Sequence, residues 1–209
     1  LNARKSLPAR LPPLSSERLA SLSDTMFGVA MTLLATTLVP LTDQLTGSAL
    51  EMMRSLRVPL SAVVLSFAVS AAYWLSQQRR LSMTQLLTPL QTRLHLLFLF
   101  LIVLLPISTG LFARMGSTAA SVPIYGAHLT LIAAANLALW IGVHRQAEAW
   151  AAVVPAALAL AFLGCAFTVG LVRPQAAQYL WYSAFAIPLL ARGVLWAALR
   201  IGGDDAKST

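Results

Sequence analysis

Long apolar runs separated by short polar joints organise the chain. About 20 consecutive apolar residues let one α-helix cross the hydrocarbon core of a bilayer. Six such spans are read, at about 18–40, 58–76, 94–113, 123–143, 150–172 and 178–199. Ser15 or Ser16, after Pro12 and Pro13, serves as N-cap of the first span, and Pro40 ends it. A polar joint occupies 41–57, and a longer one runs from Gln77-Gln78-Arg79-Arg80 to Arg93. Pro106 and Pro188 fall inside the third and sixth spans, where proline is tolerated if a neighbour satisfies the freed carbonyl. The pattern predicts an all-α, polytopic membrane protein. Its six-helix transmembrane domain covers 18–200, after a cytosolic N-terminal arm (1–17) and before a disordered tail (201–209).

The first span departs from plain hydrophobicity. It carries Asp24 near its start, then the hydroxyls Thr25, Thr32, Thr36 and Thr37. An ionisable group inside a membrane helix is expensive and marks a functional site by default. Thr25, Val29, Thr32 and Thr36 are spaced four, three and four residues apart, so they share one helix face. Leu33, Leu34 and Leu38 point away from that stripe, as lipid-facing or packing residues do. Two readings of the stripe stand side by side. It lines a water-filled path, or its threonines bond back to their own carbonyls and let helices pack closely.

Composition supports the membrane assignment: 58% of residues are hydrophobic and 11% charged, against about 25% charged in ordinary globular chains. The net charge of +8 would suggest nucleic acid in a soluble protein, but here the basic residues lie between apolar runs. With the N-terminus cytosolic, that side holds Arg4, Lys5, Arg10, Arg18, Arg79, Arg80, Arg93, Arg145, Arg192, Arg200 and Lys207, and the other only Arg54, Arg57, Arg114 and Arg173. Such a bias puts both termini in the cytosol. This topology brings Arg18, Ser23 and Asp24 to the same depth as Trp74, Gln77, Gln78, Arg93 and His95. A buried carboxylate needs such a layer of donors to stay ionised, and the nearby helix N-terminus favours its charge.

Enzyme chemistry has little material here. Seven acidic residues lie mostly in joints and tail, and no HExxH, paired carboxylates, Ser-His-Asp set, Gly-rich phosphate loop or carbonyl filter is present. The single cysteine, Cys165, excludes an intrachain disulfide and a thiolate metal cluster. His144 reads as interfacial, and His128 is assigned nothing. No catalytic residue, metal ligand or cofactor is expected, and no nucleic-acid partner.

The first span, R-x3-L-S-D followed by TMFGVAMTLLATTLVP, resembles the R-x3-F-S-D signature and pore helix of the transmembrane protein 175 family of potassium-permeable channels. SFAVSAAYWLSQQRR is similar to that family's second helix, which usually ends His-His-Arg, and HLLFLFLIVLLPIST to its third, which usually begins with Asn. The fourth span, from Tyr125 to Trp140, and the segment Tyr179–Trp181 continue the likeness. Here Leu22 replaces the signature aromatic, Gln77-Gln78 the histidine pair and His95 the asparagine. The resemblance implies membership of the bacterial, single-repeat branch and a homotetramer in the bacterial inner membrane, with a pore lined by the first helix of each subunit. It implies a pore lining of Val29, Thr32, Leu33 and Thr36, with Val29 as hydrophobic constriction, Thr32 as hydroxyl ring and Thr36 as outer position. Potassium ions are the implied permeant species, favoured modestly over sodium. The implied signature network is Arg18, Ser23, Asp24, Trp74, Gln77, Gln78 and His95. The alternatives are a proton- or cation-coupled transporter using Asp24, and a non-conducting membrane assembly protein.

Overall fold

The computed structural model describes residues 15–39, 48–143 and 150–183. They form six α-helices: α1 (Ser16–Thr36), α2 (Ala49–Ser82), α3 (Pro89–Met115), α4 (Ser121–Ile141), α5 (Trp150–Val172) and α6 (Pro174–Ser183). The first five are long and apolar enough to cross a membrane. The chain is a multi-pass, all-helical membrane protein. The sixth expected span is described only through Ser183. Its remainder with Pro188, most of the 1–17 arm, the 201–209 tail and His144 lie outside the described residues.

Helix boundaries follow local chemistry. Ser15 is the N-cap of α1, in extended backbone conformation. α2 begins well before the expected 58, because Ser48 and Glu51 form a capping box: the Glu51 amide donates to Ser48 Oγ, and the Ser48 amide to Glu51 Oε2 at 2.8 Å. The helix continues through Pro59, so Arg54 and Arg57 stand on it and not in a loop. Its 34 residues rise about 51 Å, well beyond the roughly 30 Å of a hydrocarbon core. α3 likewise starts early, at a second capping box of Thr88 and Gln91 with Pro89 at its first position. It ends at Gly116, whose positive φ of 61° closes the helix.

The helices pack as an up-and-down series. α1 rests on α2 and α3, α3 also on α4, α4 on α5, and α5 on α6. α1 buries Leu19, Ser23, Phe27, Ala30 and Leu34, spaced four, four, three and four residues apart. Phe98 of α3 lies at the junction, with ring centroids 6.1 Å from Phe27 and 6.0 Å from Tyr73. A second aromatic cluster holds α6: Trp181 meets Phe112 and Tyr125 edge-on at 5.4 and 5.0 Å. Between the clusters, Ser66 Oγ bonds Thr109 Oγ1 and Tyr125 Oη at 2.8 and 2.7 Å, which satisfies three hydroxyls away from water. His128 is also bound. Its Nε2 meets the Leu101 carbonyl at 2.9 Å and its Nδ1 meets Ser108 Oγ at 2.7 Å. The Leu101 carbonyl is next to that of Ile102, which Pro106 deprives of its usual donor. A histidine without assignment in the sequence thus pins α4 beside the Pro106 irregularity.

Close packing of α4, α5 and α6 rests on Gly170. A Cβ there would sit 2.8 Å from Val122 Cγ1 and 3.3 Å from Ala177 Cβ, whereas one at Gly164 would meet nothing within 4 Å. Gly170→Ala is expected to destabilise by about 1–3 kcal/mol, the usual cost of overpacking, and Gly164→Ala to be neutral. Thermal unfolding of the two variants in detergent checks this pair.

Candidate functional site

α1 has two faces with different environments. The face with Leu19, Ser23, Phe27, Ala30 and Leu34 is buried against α2 and α3. The face with Thr25, Val29, Thr32, Leu33 and Thr36 is exposed, Val29 at 51% and Leu33 at 42%. Among the described residues, no other helix covers the threonine stripe.

The threonines bond back to their own helix. Thr25 Oγ1 donates to the Ser21 carbonyl at 3.1 Å, Thr32 Oγ1 to Gly28 at 2.7 Å and Thr36 Oγ1 to Leu33 at 2.8 Å. A hydroxyl has one proton and two lone pairs. With the proton committed to the backbone, each oxygen presents only acceptor character outward. Back-bonding and a lined path, the two sequence readings, are therefore compatible: the bonded hydroxyl is better suited to a cation than a free one.

The expected polar layer divides into two bonded groups. On the exposed side, Trp74 Nε1 and Gln78 Nε2 donate to Asp24 Oδ1, at 2.8 and 2.5 Å. On the buried side, Ser23 Oγ donates to the Leu19 carbonyl at 2.6 Å and meets His95 Nε2 at 3.3 Å. Because the Ser23 proton is already used, His95 Nε2 is the donor in that contact, and its Nδ1 carries the bare lone pair. Gln77 lies at the same depth, yet its amide has no partner. Arg18 and Arg93 are exposed. The structure joins Ser23, Asp24, Trp74, Gln78 and His95 pairwise, and leaves Arg18 and Gln77 outside these bonds.

A third polar group was not anticipated. Arg80, placed with the interfacial basic residues by its position at a span end, is 2% exposed. α2 continues to Ser82, so the guanidinium turns inward between the rings of Phe98 and Trp140, at 5.8 and 5.6 Å. Arg80 Nη1 donates to Asn136 Oδ1 at 3.0 Å, Ser76 Oγ donates to the same oxygen at 3.2 Å, and Trp140 Nε1 donates to Ser76 Oγ at 2.8 Å. The usable signal was Asn136, an amide within an otherwise apolar span.

Residues 18–106 match the family model described as endosomal/lysosomal potassium channel TMEM175. The fold is similar to the crystal structure of a lysosomal potassium-selective channel TMEM175 homolog from Chamaesiphon minutus. The TM-score is 0.73 at 20% identity, over 84% of this chain and 97% of that one. No curated protein matches the sequence.

The Asp24 contacts generate a test. Asp24→Ala leaves two donors without an acceptor, an expected loss of about 1–3 kcal/mol that lowers the yield of assembled protein. Asp24→Asn keeps an acceptor oxygen for Trp74 and is expected to recover much of that yield. Size-exclusion profiles of the two variants in mild detergent are the measurement.

Proposed function

We propose that the chain, whose residues 18–106 match the TMEM175 family model, is a member of that family and forms a potassium-permeable cation channel. The observation that carries the reading is the uncovered threonine stripe of α1. One helix cannot surround a path, so the stripe requires other copies of itself, and closed rotational symmetry is the usual solution. A homotetramer in the bacterial inner membrane, with four α1 helices innermost, meets that need. Arg18, exposed on the isolated subunit, is then available to a neighbouring copy.

In this arrangement Val29 forms an apolar constriction. A narrow apolar ring opposes conduction because water leaves it readily and a stripped cation gains little there. Thr32 follows three residues on, about 4.5 Å along the axis, and Thr36 about 6 Å further. Their back-bonded oxygens, with only lone pairs outward, offer weak dipoles that suit a weakly hydrated cation and repel anions. The preference for potassium over sodium is correspondingly modest. Leu33 flanks the threonines and keeps the path narrow.

The transporter reading is disfavoured by position. Asp24 lies in the third turn of α1, where Trp74 and Gln78 hold it, away from a midplane site.

Val29→Asn is expected to wet the constriction and raise potassium flux into liposomes. Thr32→Val is nearly isosteric but removes the oxygens, so bi-ionic reversal potentials should show the potassium preference falling. A loss of about 1 kcal/mol already changes the ratio roughly five-fold. Unchanged flux in the first variant together with unchanged selectivity in the second would remove this face from the path.

A further inference from the structure

The outward side of α3 carries an apolar stripe that no described helix covers. Leu96, Leu97, Phe100, Leu104, Ile107 and Leu111 share one face, and all but Leu104 are exposed, Ile107 at 62%. α1, α2 and α4 pack on the other side of α3, which buries His95, Phe98, Ile102 and Leu105. α6 also meets α3 away from the stripe, through Trp181 on Phe112. Arg93 closes the stripe at the end level with Asp24, and Arg114 closes it at the other; both are exposed. They lie 21 residues apart, a rise of about 31 Å, against the roughly 30 Å of a hydrocarbon core.

Lipid tails and a second copy of the chain are the two candidates for this face, and side-chain size separates them. Helices that pack on one another in a bilayer favour small side chains, which let the backbones approach. The exposed side of α1 has that character, with Ser21, Thr25, Gly28, Thr32 and Ala35. The α3 stripe has none of it: every position is leucine, isoleucine or phenylalanine. Its two ends fit lipid as well. An arginine beside an apolar face lays its stem along that face and reaches the headgroups, where its planar fork matches phosphate oxygens. Contact with another helix gives no reason for cations at just these two depths.

We infer that the outward face of α3 lies against acyl chains, with Arg93 and Arg114 on phospholipid phosphates of opposite leaflets. The pair works as a ruler that fixes the depth of the subunit. It also places α1. Ser23 is level with His95 and Phe27 with Phe98, so Thr32 comes level with Val103 and Leu104, midway between the arginines. Asp24 comes level with Leu96, about one turn from Arg93. The inference concerns the lipid contact of each subunit and holds whether or not the assembly conducts.

The test has two arms, both on the full chain in liposomes. In a Cys165→Ser background, bimane is attached at Phe100→Cys, Ile107→Cys or Leu34→Cys, with and without phospholipid brominated at mid-chain. Bromine quenches on contact, so the labels at Phe100→Cys and Ile107→Cys are expected to lose emission, and the one at buried Leu34→Cys to keep it. Emission unchanged by bromine at both outward positions would overturn the inference and give the face to a second copy. The second arm follows the melting temperature in phosphatidylcholine bilayers of increasing acyl length. A subunit pinned at both phosphate levels is most stable where the hydrocarbon is roughly 30 Å thick and less stable on either side. Arg93→Gln combined with Arg114→Gln is expected to flatten that maximum, and Arg93→Lys with Arg114→Lys to retain it. An unchanged maximum in the glutamine variant would overturn the assignment of the arginines to phosphates.

Discussion

The contact of Phe27 with Phe98, flanked by Ser23 on His95, sets the rotation of α1 about its own axis. Everything proposed for the opposite face depends on it. A helix in lipid has no hydrophobic preference for a partner over the tails, so its rotation is set by packing shape and by hydrogen bonds. Phe27 supplies the shape, and Ser23 supplies the bond one turn before it. With those two fixed inward, Thr25, Val29, Thr32 and Thr36 must point away from the subunit. A turn of the helix by one residue, about 100°, would bury Gly28 and expose the wrong set.

A second constraint acts at the level of single atoms. Inside a bilayer each hydroxyl proton needs an acceptor, and on α1 the nearest is the carbonyl three or four residues earlier. Satisfying the proton in this way turns every exposed threonine oxygen into an acceptor. The helix thereby acquires a row of cation-attracting oxygens without a charged residue in the stripe. The same requirement explains the hydroxyl set of Ser66, Thr109 and Tyr125 and the anchoring of His128 on the Leu101 carbonyl. These polar groups are either paired across helices or turned back on their own.

Much of this was legible in the sequence, for identifiable reasons. The spacing of Thr25, Val29, Thr32 and Thr36 is geometric, and helix periodicity alone assigns them one face. The polar layer followed from alternating helix directions, which bring span ends to a common depth; Asp24 with Trp74 and Gln78, and Ser23 with His95, meet there. The early start of α2 was missed because polar residues such as Glu51, Arg54 and Arg57 read as a joint, whereas the Ser48–Glu51 capping box makes them helical. Arg80 was missed for a related reason. Charge at the end of a span is normally interfacial, and only the continuation of α2 and the amide of Asn136 turn this one inward. Depth follows from composition, but the direction in which a side chain points requires the neighbouring helices.

The central claim is that α1 presents its Val29 face to copies of itself around a conducting axis. The direct measurement is oxidative cross-linking of Val29→Cys in a Cys165→Ser background, read together with potassium flux in liposomes. The account predicts α1–α1 disulfides between subunits and a block of flux that a reductant reverses, while Leu34→Cys, buried on the opposite face, gives neither. Absence of cross-links at Val29 with flux intact, or equal cross-linking at Leu34, would contradict it.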